Sequence, residues 1–489
     1  MTENAKSKKS APKKRKPLVK EKTPMPVQEP EERIANFSEV ALGYTKEEAV
    51  QEAKRCLQCK TRKCVDGCPV EVPIPEFIQF VTEENFEEAY EEIAQKNILP
   101  AICGRVCPQE NQCERVCTLG KVKNSQPVAI GRLERFIADW AMQNLDLENK
   151  MKEPSETNGI KVAVIGSGPA GLTCASELSR KGYEVTIFEA FHEPGGVLVY
   201  GIPEFRLPKD IVKMEINTLA KLGVEIKLNQ IIGKIFTLDD LREQGYKAFF
   251  IGVGAGTPRL PNIKGMDLNG VLSANEFLTR VNLMKAYRED YNTPVDKGNV
   301  VAVIGGGNVA MDSARTALRL GAKKVMIIYR RTEKELPARW EEYEHAQEEG
   351  IEFHFLKSPL EILGDERGFV KGLRVQIMKL GEPDSSGRAR PVPIEGEEEE
   401  IAIDMIIIAI GSVSNKVFTQ ATQEVELNKW GYLKTNEETG QTSVEDVFAG
   451  GDIVTGAATV ISALGMGKKA AEGIDQYIHS LNLIVDKKE

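Results

Sequence analysis

The sequence predicts an α/β architecture in which two parallel-sheet units stand in tandem behind an all-α, cysteine-rich domain. Three observations predict it. A design of strand, glycine turn, helix and strand occurs twice, as KVAVIGSGPAGLTCASELSRKGYEVTIFEA and VVAVIGGGNVAMDSARTALRLGAKKVMIIYRR, about 139 residues apart. Such alternation of short apolar runs and amphipathic helices, duplicated in one chain, marks parallel α/β units. Residues 34–150 instead show helical periodicity, as in PEFIQFVTEENFEEAYEEIAQKN, and no convincing strand pair. Inside that segment lie eight of the nine cysteines, in CLQCKTRKCVDGCP from Cys56 and CGRVCPQENQCERVC from Cys103.

A chain of 489 residues is too long for one core and divides into about three domains. Its 41% hydrophobic and 28% charged residues are ordinary for a globular protein. There is no apolar run of about 18 residues to span a membrane and no secretory h-region, which predicts a reducing, cytoplasmic setting. The net charge of −9 is uneven. Residues 1–22 carry nine Lys or Arg against Glu3 and Glu21, a local +7 that leaves −16 for the rest. This start reads as a solvated, disordered basic tail over 1–32, and the acidic body argues against nucleic acid as a partner.

Taken in chain order, 33–150 is the helical domain and MKEPSETNG is a polar linker. The first glycine unit follows. Gly166, Gly168 and Gly171 sit between the strand VAVI and a helix, where a tight turn, close approach to a pyrophosphate and tight helix–strand packing require glycine. Glu189 ends the next strand, where a carboxylate accepts hydrogen bonds from a ribose diol. In the second unit Gly305, Gly307, Asn308 and Ala310 form the alanine variant of the fingerprint. Its strand ends in Arg330 and Arg331, which suit a 2′-phosphate and so predict NADPH over NADH. GEPDSSGRARPVPIEGEEEE reads as an exposed hairpin with an acidic tip.

Two dinucleotide sites of opposite charge preference suggest a flavoprotein reductase, with FAD in the first and nicotinamide in the second. In TSVEDVFAGGDIVTGAATVISALGMGKKAA, Asp452 is placed to bond the flavin's ribityl or pyrophosphate side. A helix beginning at Thr459 and Val460 would aim its N-terminus at the flavin ring. No base or nucleophile is required, so no catalytic residue is expected. The lone Cys174 lies within the first helix as a packed small residue.

The eight clustered thiols admit disulfides, zinc or iron–sulfur clusters. Disulfides need an oxidising compartment. Zinc favours C-x2-C pairs, and only Cys56 and Cys59 form one. The first run resembles the bacterial ferredoxin run with its middle gap lengthened, and there the cysteine before proline ligates the other cluster. Cys68 precedes Pro69 and Cys107 precedes Pro108. Two [4Fe–4S] clusters are therefore expected. One is held by Cys56, Cys59, Cys64 and Cys117; the other by Cys68, Cys107 and Cys113, with Cys103 available as the fourth thiolate.

With EPGGVLVYGIPEFRLPKDIV (193–212), ELPAR (335–339) and AIGSVSN (409–415), the chain from about residue 33 onward resembles the glutamate synthase small-subunit family. That family includes the large subunit of bifurcating NADH-dependent ferredoxin:NADP oxidoreductase; dihydropyrimidine dehydrogenase carries a related cysteine domain and flavin core. The resemblance implies a two-dinucleotide-binding-domain flavoprotein, with FAD in 159–296 and 411–489 and NADPH in an inserted 297–410. It places Gly195, Gly196, Tyr200, Gly201 and Ile202 by the flavin. It also suggests Glu134 rather than Cys103 as the fourth ligand of the second cluster. No C-x-x-C pair follows Glu189, which argues against disulfide reduction. Two partners are implied: a small flavin and [2Fe–2S] subunit with ferredoxin and NAD as acceptors, or a glutamate synthase large subunit. A non-catalytic NADPH-sensing scaffold is the remote alternative.

Overall fold

The computed structural model describes residues 18–147, 157–384 and 387–482. Each glycine unit builds a five-stranded parallel sheet. The first runs, in spatial order, Val447–Ala449, Tyr246–Ile251, Lys161–Ile165, Glu184–Phe188 and Glu225–Lys227. The second runs Val271–Ser273, Met405–Ile408, Val300–Ile304, Lys324–Tyr329 and Glu352–Phe355. Their central strands VAVI and AVI are buried on both faces, as helices on each side of a parallel sheet demand.

The second sheet recruits Val271–Ser273, a strand that lies ahead of the expected boundary at 297. Where the chain leaves and re-enters the first domain, Thr257–Pro258 pairs with Ser412–Val413 in a two-stranded link. The hairpin is present as strands Val370–Pro383 and Ala389–Ala402, joined in a three-stranded antiparallel sheet with Lys357–Gly364. Its acids are not at a tip. Glu398, Glu399 and Glu400 stand in mid-strand opposite Gln376, Val375 and Arg374, where Arg374 and Lys357 pair with them.

The cysteine domain is helical, with Ile74–Thr82, Phe86–Ala94, Pro100–Val106 and Ile130–Asn144 enclosing a core of Phe77, Ile78, Ile93, Leu99, Leu133 and Ile137. The expected basic tail lies outside the described residues up to 17. Residues 18–32 do not form a free tail. The carbonyls of Val19 and Lys20 accept from the Arg55 guanidinium, and the Thr23 amide donates to buried Glu52. No helix among the described residues is long and apolar enough to cross a membrane.

The C-terminal helix Val460–Ser480 connects the units. A Cβ on Gly467 would sit 2.4 Å from the Ala170 carbonyl, so this helix packs directly on the helix Pro169–Arg180 of the first sheet. A Cβ on Gly465 would meet the Pro69 carbonyl at 3.0 Å, which brings the same helix against the first cysteine run.

Candidate functional site

A cavity of about 510 Å³ opens at the carboxyl ends of the first sheet, where ligands of parallel α/β sheets bind. Gly166 has φ +99, open to glycine without strain, and a Cβ on Gly171 would lie 2.0 Å from the Gly166 carbonyl. Gly168, in contrast, has only the Gly252 carbonyl, at 4.0 Å, near where its Cβ would be. The loop is thus closed on its packed side and open toward the cavity. Glu189 holds it: Oε2 accepts from the Ser167 amide at 2.9 Å and hydroxyl at 2.5 Å, and Oε1 from the Phe191 amide at 2.9 Å. Oε2 is filled by these two donors, and Oε1 keeps one lone-pair site for a further donor.

Gly196 closes against the Gly168 backbone, while Tyr200, Gly201 and Ile202 line the wall. Burial pushes the Tyr200 phenol up to about 12, so it is a neutral donor at ordinary pH. Asp452 faces the cavity and accepts from the Ala458 amide; burial raises its carboxyl above the usual range. Thr459 caps the C-terminal helix by accepting from the Ser462 amide, and Val460 follows it on the cavity wall. A tight glycine turn, a carboxylate at a strand end and a long helix aimed inward are the donor and acceptor set of a flavin dinucleotide. The residues fit it.

The second fingerprint reaches the same cavity. Asn308, Val309 and Asp312, on the first turns of the helix Asn308–Arg319, line it beside Arg206. Behind them a Cβ on Gly305 would lie 2.3 Å from the Ala409 carbonyl, one on Gly307 would meet only Pro337 Cγ at 3.9 Å, and Ala310 is buried in the helix. The arginine pair does not act together. Arg331 is only 4% exposed, and its guanidinium donates to the Ala389 carbonyl at 2.8 Å and to Asp384 at 2.5 Å. It fastens the strand end to the hairpin. Arg330 is the exposed member of the pair.

Both expected cysteine sets come together. Cys56, Cys59, Cys64 and Cys117 line one cleft; Cys68, Cys107, Cys113 and Glu134 line another. Cys103 is absent from the second cleft. It is fully buried behind it, with its sulfur 3.6 Å from Asn97 Oδ1, while Asn97 Nδ2 donates to Glu134 Oε1 at 2.7 Å. All nine cysteines are free. Among the described residues no three His, Cys, Asp or Glu side chains converge as the ligands of a single ion do. The thiols instead line the two clefts. Burial pushes Cys56 and Cys68 up to about 11, Cys64 to about 12 and Glu134 to about 7, so a bound cationic centre would have to displace protons from these groups. The residues fit.

The second cleft adjoins the flavin-type cavity. Val106 and Pro108, on either side of Cys107, line that cavity, and Ile461 of the C-terminal helix lines the cleft. Three features were invisible in the sequence. Gln112, beside Cys113, donates to the Thr459 hydroxyl. Glu215 of the first α/β unit accepts from the Ala101 and Ile102 amides and so caps the helix carrying Cys103. A buried ionic network joins three units, with Arg206 on Asp312, Arg315 on Glu342, and Arg33, Arg315 and Arg319 on Glu349. Phe205 lies under Arg315 and Arg319. The one sequence signal for the network is the acid-rich run WEEYEHAQEE, which reads equally as a solvated helix.

Residues 33–145 match the family model described as dihydropyrimidine dehydrogenase domain II, 4Fe-4S cluster, and residues 160–467 match pyridine nucleotide-disulphide oxidoreductase. The glutamate synthase [NADPH] small chain of Halomonas elongata is 38% identical over 454 residues, covering 91% of this chain and 94% of that one. This chain belongs to the glutamate synthase small-chain family. Another relative, the NADP(+)-dependent formate dehydrogenase subunit beta of Moorella thermoacetica, is 40% identical over 439 residues, of which this chain covers 60%. FprA from Mycobacterium tuberculosis in complex with NADPH shares the fold, with TM-score 0.55 and 20% identity over 66% of this chain and 86% of that one. Like its family, the chain is an NADPH-dependent FAD oxidoreductase with an N-terminal 4Fe-4S domain. The family assignment agrees with the resemblance carried by the 193–212, 335–339 and 409–415 segments.

Proposed function

We propose that the chain is an electron-transfer subunit that connects NADP(H) to a partner protein through FAD and two [4Fe–4S] clusters. A single observation carries this reading: one cavity is lined at once by the first fingerprint, by Asn308 and Val309 at the end of the second and by the residues flanking Cys107. Bound FAD supplies hydride exchange with nicotinamide and single-electron exchange with iron–sulfur centres. The chain's own residues position these groups. Ser167 and Glu189 would hold the ribose and pyrophosphate of FAD, with Gly195, Gly196, Tyr200, Gly201, Ile202 and Asp452 around its inner end. The Gly305–Ala310 turn would take the NADPH pyrophosphate, and Arg330 its 2′-phosphate. Cys56, Cys59, Cys64 and Cys117 would ligate one cluster; Cys68, Cys107, Cys113 and Glu134 the other.

Two partners suit such a subunit. One is a small flavin and [2Fe–2S] subunit, with the FAD dividing electrons between ferredoxin and NAD as in NADH-dependent ferredoxin:NADP oxidoreductase. The other is a glutamate synthase large subunit, favoured by the near full-length correspondence with the Halomonas elongata small chain. The test is native co-purification followed by two assays of the complex. Ferredoxin reduction with NADPH and NAD identifies the first, and glutamate formation from glutamine and 2-oxoglutarate the second. A purified protein whose flavin spectrum NADPH fails to bleach, and which turns over no dye, would be the non-catalytic scaffold instead.

A further inference from the structure

On the electron-transfer reading above, we infer that Arg339 is a positioning residue that makes the cysteine loop of the second cluster cleft respond to nucleotide on the second fingerprint. The segment ELPAR (335–339) lies directly on that fingerprint. A Cβ on Gly306 would sit 2.8 Å from the Leu336 side chain, and one on Gly307 would meet Pro337 at 3.9 Å. The Ala338 amide donates to the Gly306 carbonyl at 3.2 Å, and the Arg339 amide to Asn308 Oδ1 at 2.8 Å. Asn308 in turn lines the flavin-type cavity. The glycine turn and the segment over it are therefore one packed unit.

The Arg339 side chain leaves this unit and enters the cysteine domain, and only 7% of the residue is exposed. Nη1 donates to the Arg105 carbonyl at 2.8 Å, two residues before Cys107, and Nη2 to Gln109 Oε1 at 3.3 Å, two residues after it. Glu341 steadies the fork by accepting from Nη2 at 2.8 Å. Gln109 is equally buried and lines the second cleft with Cys107. Its amide has little freedom of its own. Nε2 donates to the Cys103 carbonyl at 3.3 Å, and a Cβ on Gly131, in the helix that carries Glu134, would lie 2.2 Å from that nitrogen. One planar guanidinium thus brackets Cys107 from both sides, a grip that the point charge of a lysine cannot copy. Nucleotide that orders the 305–310 turn orders Asn308 and Arg339 with it, and Arg339 passes the ordering to residues 105–109. By reciprocity, an ordered cysteine loop favours nucleotide by the same factor. The nucleotide is sensed beside a cluster ligand that it does not touch.

The test is hydrogen–deuterium exchange of the full-length holoprotein, read by mass spectrometry, with and without saturating NADP+. Arg339→Met and Arg339→Lys are compared with wild type, their folds checked by circular dichroism and by flavin and iron content. In wild type, NADP+ should slow exchange about fivefold in residues 303–311 and also in 104–113. In Arg339→Met the first slowing should remain and the second should disappear. Arg339→Lys, which keeps the charge but not the fork, should recover part of the second slowing, and it carries the comparison if the methionine variant loses iron. Equal slowing of 104–113 in wild type and Arg339→Met, or none there in a wild type whose 303–311 responds, would overturn the inference and leave the electron-transfer reading standing. A wild type in which NADP+ slows neither segment would overturn the nucleotide assignment within that reading, and the inference with it.

Discussion

Gln112 donates from its side-chain amide to the Thr459 hydroxyl at 3.3 Å. One residue precedes a cluster-cleft cysteine; the other caps the helix that faces the flavin-type cavity. The hydrogen bond therefore ties the two centres' surroundings together across 347 residues of sequence. Gln112→Leu keeps the volume and removes the bond, worth about 1 kcal/mol. Flavin reduction by NADPH should be unaffected, and the following cluster reduction should slow by roughly fivefold. Stopped-flow absorbance combined with freeze-quench EPR separates the two phases. A single common change in both would mean that Gln112 does not act between them.

Two clusters predict about eight iron and eight sulfide per chain. Cys68→Ser, although it lies in the first run, should lower both to about four and remove the cluster next to the flavin. Glu134→Ala should perturb that same cluster's EPR signal and potential, and Cys103→Ser should not. Equal effects at 103 and 134 would return the fourth ligand to the cysteine.

The arginine pair should separate. Arg330→Ala loses a charge-assisted contact and should raise KM for NADPH about ten- to a hundredfold, with little change for NADH. Arg331→Ala should leave that ratio alone. Its signature is a lower melting temperature, because its guanidinium holds Asp384 and Ala389.

Glu349 sits fully buried among Arg33, Arg315 and Arg319, with no exposed side-chain area. Burial alone would raise its carboxyl, but the arginines bring it down to about 2. A depressed folded-state value gives stability that is complete above the ordinary carboxylate range and is lost as pH falls from about 4.5 toward 2. The contribution is about 3 kcal/mol. Glu349→Gln should unfold at lower denaturant at pH 7 and show a shallower loss of stability across that acid window. Parallel pH curves for variant and wild type would rule out this residue as the source.

Much of the site was legible because its demands are local. A turn that must admit a pyrophosphate spells out its glycines within six residues, and the carboxylate follows at the end of the next strand. The cysteine sets were also readable, since Cys-Pro in each run signalled sharing between clefts. Other features escaped for physical reasons. Val271–Ser273 is only three residues long and gains its identity from Met405–Ile408, far along the chain. The acidic run at 397–400 reads as solvated until Arg374 and Lys357 are placed opposite it. Neighbouring Arg330 and Arg331 have the same side chain, and only the hairpin packed over one of them distinguishes their roles.

By itself, then, the sequence determined the family, the two dinucleotide turns and the grouping of thiols, because each is written in short-range stereochemistry. Tertiary structure alone decided which cluster cleft adjoins the cavity and which arginine is free. Those properties depend on contacts between residues such as Arg33 and Glu349, 316 positions apart, whose energies exist only once the chain has closed and water has left.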